Sequence, residues 1–219
     1  MIKAIFWDND GVLVNTERLY FRATKQALAK VGVDLTQELF AELFLNQSRG
    51  AWHLAEEKGV SKYDIESLRA ERNEIYGSML RVEPFGIPGV ETTLSQLKGH
   101  LTMGIVTSSW REHFELIHRS TNFIPYVDFV LTREDYTHSK PDPEPYLRAL
   151  ECVDVEKQDC LVIEDSERGL RSAKGAGLTC WVIPNELTKT ADFSQADKVL
   201  SDITEIPTHL LGRNRPGHD

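Results

Sequence analysis

The chain has 219 residues, which is long for one simple domain and short for two full ones; a core of about 150 residues with one smaller inserted domain fits that length. At 41% hydrophobic and 27% charged residues its composition is ordinary for a globular protein and excludes a disordered or collagen-like chain. The net charge of −9 argues against nucleic acid as the main partner, since phosphate backbones are bound by basic patches, but leaves room for a small anion held by a local cluster of cations.

Residues 2–7 (IKAIFW) form an apolar run with strand character, and Asp8 and Asp10 follow at once, so no secretory leader is expected there. Residues 16–84 contain no convincing strand. Leu39, Phe40, Leu43 and Phe44 make an apolar face at helical spacing. Ser61 to Asp64 resembles a capping box that opens a long helix with Ile65, Leu68, Ile75 and Met79 on one stripe. Gly86, Pro88 and Gly89 mark a return to the rhythm of the first strand. Strand-like runs then recur at 101–106, 127–131, 160–163 and 179–183. Helical patterns lie between them at 112–119, after Asp142-Pro143, and at 166–174, the last stopping at Gly175 and Gly177.

Strand and helix alternating in this way predict an α/β fold: a Rossmann-like parallel sheet core with helices on both faces and an inserted small all-helical domain. The expected division is 1–15 and 85–211 for the core, 16–84 for the insertion and 212–219 for a flexible tail. Cys152, Cys160 and Cys180 are odd in number and lack a C-x-x-C spacing, so they are expected to be buried thiols in a reducing compartment. No run approaches the roughly 20 apolar residues of a membrane span, and a cytoplasmic location is expected. No obligate protein partner is indicated.

Four polar clusters fall at predicted strand ends, where open parallel sheets bind ligands. The first is Asp8-Asn-Asp10-Gly11; alone it also fits a solvated turn. The second is Thr107-Ser108-Ser109, whose hydroxyls and free backbone N–H groups can cradle an anion or simply cap a helix. The third is Lys140 before Pro141, a point charge on constrained backbone that can balance a phosphate or an aspartate, or an exposed surface lysine. The fourth is Glu164-Asp165, two adjacent acids whose repulsion a divalent cation would relieve, or which favour a helix start.

The set resembles the haloacid dehalogenase-like superfamily over nearly the whole chain, residues 1–182, and in particular its helical-cap subgroup of phosphoglycolate-phosphatase-like and beta-phosphoglucomutase-like enzymes. The resemblance implies that residues 16–84 are a cap that closes over the site. It implies that Asp8 attacks phosphorus and forms an aspartyl phosphate, while Asp10 is the acid–base group. Asp8, the backbone carbonyl of Asp10, Asp165 and Glu164 would hold Mg²⁺. Thr107, Ser108, Ser109 and Lys140 would grip phosphate or substrate, and Arg49 matches the place of an arginine that binds a distal phosphate. Asn9 departs from the pattern, which usually has an apolar residue there.

A magnesium-dependent phosphatase of a small phosphorylated metabolite, a sugar phosphate or a phosphoglycolate-like ester, is therefore expected. The alternatives are a phosphosugar mutase and, from another class, a non-catalytic binding protein on the same fold. A haloacid dehalogenase ranks last, because it would not need both Asp10 and an acid pair for Mg²⁺. The mutases resemble one another in a histidine that pairs with the acid–base aspartate; Tyr20 stands at its position, which favours hydrolysis. Arg72 interrupts the long helix's apolar stripe, and its head is expected to snorkel to water rather than reach substrate. Trp110 reads first as a packing residue; it follows the second cluster and from that turn can alternatively face the substrate. His113 and His118 show no trusted ligand spacing.

Overall fold

The strands are β1 (Ala4–Trp7), β2 (Thr102–Val106), β3 (Phe129–Leu131), β4 (Cys160–Glu164), β5 (Thr179–Val182) and β6 (Lys198–Val199); the central β1 and β4 are apolar runs covered on both faces, and burial falls off towards β3 and β6. All pair in parallel, in the order β3-β2-β1-β4-β5-β6. The computed structural model describes residues 1–47 and 49–212. The expected tail falls outside them except for Gly212.

The period of two along each strand divides the core into two layers. Ile5, Trp7, Ile105, Leu161 and Ile163 point to one face. There they meet α5 (Val90–Leu97), α6 (Arg111–His118) and α9 (Glu205–Leu211) through Leu94, Ile117 and Ile206. Ala4, Phe6, Val162 and Cys180 point to the other, against α7 (Glu144–Glu151) and α8 (Glu167–Gly175) through Tyr146, Ala149, Leu170 and Ala173. The α/β sheet with helices on both faces is as expected. Three differences stand out. β6, only Lys-Val, has no pattern long enough to read from sequence. The predicted strands lose one or two residues at several ends. Cys152 is exposed at the end of α7 rather than buried, whereas Cys160 and Cys180 are buried.

Between β1 and β2 the described residues 17–82 hold helices only: α1 (Glu17–Ala29), α2 (Gln37–Phe40) running into a π-helical turn (Ala41–Asn46), α3 (His53–Glu57) and α4 (Lys62–Val82). Ser61 caps α4, its hydroxyl accepting from the Asp64 N–H at 3.2 Å. A separate apolar cluster, including Leu28, Leu35, Phe40, Trp52, Ile65 and Leu68, holds these helices together. Leu19 and Ala23 of α1 and Tyr76, Met79 and Leu80 of α4 join the sheet's own core instead. The entering and leaving segments run side by side, the Asn15 N–H donating to Phe85 O at 2.7 Å.

Candidate active site

The parallel register brings three strand ends to one edge. The Asp8 N–H donates to Ile163 O at 2.9 Å, the Thr107 N–H to Leu131 O at 2.9 Å and the Ile183 N–H to Glu164 O at 2.8 Å. Asp8, Thr107 and Glu164 therefore emerge together, where the sheet stops supplying backbone partners.

Lys140 comes from the loop before α7 and is 2% exposed. Its ammonium donates to Asp8 Oδ1 at 2.6 Å, Glu164 Oε1 at 2.7 Å and Val106 O at 2.9 Å, which uses all three of its hydrogens. It is thus no surface lysine. Burial opposes its charge, but Asp8 and Glu164 outweigh burial and push its pKa above the ordinary lysine range. The Tyr146 hydroxyl donates to Glu164 Oε1 at 2.6 Å, and the Ser166 hydroxyl (3.2 Å) and Asp165 N–H (3.3 Å) donate to Oε2. Glu164 is therefore a full acceptor that fixes the lysine.

The same burial raises the acids. Burial and the Glu164 charge push Asp8 up to about 7, against the pull of Lys140. Burial pushes Glu17 up to about 8, against Arg168. Burial, then Glu17, Asp8 and Glu164, push Asp165 well above the carboxylate range. One oxygen each of Asp8, Glu164 and Asp165 lies within 4.8 Å of the others. A hard, all-oxygen, charge-rich set of this kind fits Mg²⁺. Gly11 makes the fit possible: it sits at φ 96°, and a Cβ there would collide with the Asp165 carboxylate. Asn185 steadies that carboxylate, its amide donating to Oδ2 at 2.6 Å.

Asp10 is anchored by four donors. Thr16 Oγ1 donates to Oδ1; Ser109 Oγ (2.8 Å), Thr107 Oγ1 (3.1 Å) and the Asn9 amide (3.3 Å) donate to Oδ2. Thr107 and Ser109, expected to face phosphate, thus hold Asp10. Ser108 Oγ is buried and makes no hydrogen bond of good geometry, with the Tyr136 side chain beside it. Asn9 is fully buried. Its Oδ1 lies 2.9 Å from His118 Nε2, so that nitrogen is the donor, while Nδ1 accepts from Thr121 Oγ1 at 2.7 Å. Burial pushes His118 down to about 4, which keeps it in this neutral form.

A cavity of about 150 Å³ opens beside Asp8 and Asp10. Ser108, Ser109 and Arg168 line it from the core; Tyr20, Phe40, Phe44, Leu45 and Tyr76 line it from the inserted helices, and Trp110 and His113 from the start of α6. Arg49 is exposed and outside this lining. Arg72 corrects its expectation. Its head does not reach water: the residue is 7% exposed, and the guanidinium lies 4.3 Å from the Tyr20 ring centre and 5.6 Å from that of Trp52, with Nε donating to Asn73 Oδ1 at 2.9 Å. Glu17, Arg168, Tyr76 and Asn185 were not singled out from the sequence, and His113 was named there only for lacking a ligand spacing. They lie on helices or in a loop, and only folding assembles them.

Residues 5–183 match the family described as haloacid dehalogenase-like hydrolase. The protein CbbY of Cereibacter sphaeroides is 30% identical over 217 residues, covering 94% of each chain. The phosphorylated carbohydrates phosphatase of Thermotoga maritima is 29% identical over 183 residues, 81% of this chain and 82% of that one. A crystal structure of a CbbY mutant from Rhodobacter sphaeroides, in complex with xylulose-(1,5)bisphosphate, superposes with a TM-score of 0.78 at 26% identity, over 94% of this chain and 96% of that one. With the strand-end acids and the buried Lys140 already in place, this match over most of its length means that the chain belongs to the haloacid dehalogenase-like hydrolase family.

Proposed function

We propose that the chain is a phosphatase that hydrolyses a small phosphate monoester, a phosphorylated carbohydrate foremost, with Mg²⁺ and through an aspartyl phosphate on Asp8. The carrying observation is the Asp8–Lys140 contact of 2.6 Å at the edge of a cavity lined also by Asp10 and Ser108. Residues 1–15 and 85–211 act as the catalytic core, and 16–84 as a cap that sets substrate choice.

Lys140 leaves one Asp8 oxygen free to attack phosphorus, and its charge offsets that of the approaching phosphate. The P–O bond to the substrate alcohol breaks as the Asp8–P bond forms, and Asp10, which must first take up a proton from solvent, gives it to the departing oxygen. To do so Asp10 leaves Thr107 and Ser109, which frees their hydroxyls for the phosphoryl oxygens beside Ser108. Asp10 then takes a proton from water as that water attacks phosphorus and releases Asp8. Asp8, Asp165, Glu164 and the Asp10 carbonyl would hold Mg²⁺, which supplies charge neutralisation at the phosphoryl group. The full acceptor set on Glu164 makes it the weakest of these ligands.

Tyr20 favours hydrolysis over phosphoryl return. Its ring packs edge-on against Tyr76 at 5.3 Å and Phe44 at 5.9 Å, and it supplies no imidazole to Asp10. Phosphate release from a panel of sugar phosphates and phosphoglycolate, with Mg²⁺ and with EDTA, tests the proposal. Release that needs the metal and falls at least about a thousandfold in Asp8→Asn is expected. Primed interconversion of a hexose 1-phosphate without release would make the chain a mutase, and no turnover of any ester would leave a binding protein.

A further inference from the structure

The wall of the cavity away from Asp8 carries rings and almost no charge. Tyr20, Phe40, Phe44, Leu45, Tyr76 and Trp110 form it. Among the described residues that line the cavity, Arg168 is the one cation with a fixed charge, and it stands among acids, with Glu17 and then Asp8 the foremost charges acting on it. Arg49 is outside the lining. Arg72 is outside it too, its guanidinium laid over the Tyr20 ring. His113 borders the cavity, but burial and the Arg72 charge push its pKa down, so near neutral pH it offers no cation.

Trp110 is 54% exposed, an unusual state for the largest aromatic side chain, and it sits on the cavity between Ser109 and α6. The volume of about 150 Å³ matches that of an apolar cavity able to hold one benzene ring.

Resting on the phosphatase reading, we propose that the substrate is a monoester with its single phosphate on an alcohol that carries a compact, uncharged ring, and that Trp110, with Tyr20 and Phe44, selects it by covering the ring's apolar face. Aromatic walls repay an apolar ring face with a large contact area. A second phosphate or a carboxylate on the same alcohol would be desolvated against those walls with no counter-charge, which is strongly unfavourable. A hexose phosphate and an aryl phosphate share the required chemistry.

The test is kcat/KM for phosphate release by the full chain with Mg²⁺. The substrates are glucose 6-phosphate, phenyl phosphate, ring-free glycerol 2-phosphate, phosphoglycolate and fructose 1,6-bisphosphate. The two ring monoesters are expected to exceed the other three by about tenfold or more, and their ratio separates a carbohydrate from an aryl preference. Trp110→Ala should raise KM about tenfold for the ring monoesters and leave glycerol 2-phosphate within about twofold, with Trp110→Phe restoring most of the loss.

A preference for the bisphosphate or phosphoglycolate would overturn the proposal, above all if Arg72→Met removed it selectively. Equal losses on ring and ring-free esters in Trp110→Ala would do the same. Calorimetric binding of these esters to Asp8→Asn measures the selectivity without turnover, so absent catalysis sinks the phosphatase reading alone. Equal affinity for ring and ring-free esters sinks the ring proposal alone.

Discussion

Lys140 and Glu164 have almost no contact with bulk water to fall back on, and Asp8 keeps only 11% of its side chain open, at the cavity. One positive and two negative charges are packed as one unit, so the unit is tolerable only when complete. Lys140→Ala would leave Asp8 and Glu164 facing each other, with Tyr146 still bonded to Glu164. We expect it to lower unfolding free energy by about 3–5 kcal/mol in metal-free urea titrations, as removal of one member of a buried pair does. A loss below about 1 kcal/mol would mean that water reaches the pair and screens it. Asp8, Asp10 and the Glu164-Asp165 pair stood out in the sequence because polar residues that interrupt apolar runs mark strand ends; Lys140, expected at a strand end too, instead lies in the loop well past β3 and before α7, and stood out only by its place before Pro141. The roles of Thr107 and Ser109 as anchors of Asp10 were not, because a hydroxyl's partner depends on side-chain direction.

At the scale of elements, α6 ties the first strand's turn to the rest of the core. His118, in its last turn, reaches back to Asn9, and so a residue that departs from the family pattern acquires a partner. The folded-state pKa of His118 lies below its ordinary 6.5, at about 4, so the unfolded chain binds the extra proton. Stability from this group is full above pH 6.5 and is lost as pH falls from 6.5 towards 4, by about 3 kcal/mol for a shift of this size. Urea titrations from pH 7 to pH 4 should show this loss, and His118→Gln, which keeps an N–H for Asn9 but cannot titrate, should show a shallower one. Parallel pH profiles for the two proteins would remove His118 from the account. Sequence periodicity could not supply this link, since a lone histidine on a helix has no pattern to read.

For the whole molecule, the proposed metal would be linked to stability through the raised acids. Without metal, Asp8 holds its proton up to about pH 7 in the folded chain but only to about pH 3.8 when unfolded, so its contribution falls as pH rises between these values. On the proposed reading Mg²⁺ would bind the ionised form and offset the repulsion among these acids. The rise in Tm on adding Mg²⁺ should therefore be larger at pH 8 than at pH 5.5, and much smaller in Asp165→Asn at both. A metal effect that grew on acidification would exclude these carboxylates as the ligands.

The sequence by itself determined the sheet, the helical insertion and the polar clusters, because apolar period and strand-end acids are local patterns. Only the tertiary structure decided which groups meet. It buried Arg72 under Tyr20, left Arg49 outside the cavity, and joined His118 to Asn9 across 109 positions. The reason is physical: a side chain's direction and its partner are set by packing between distant segments, and no short window of sequence contains both.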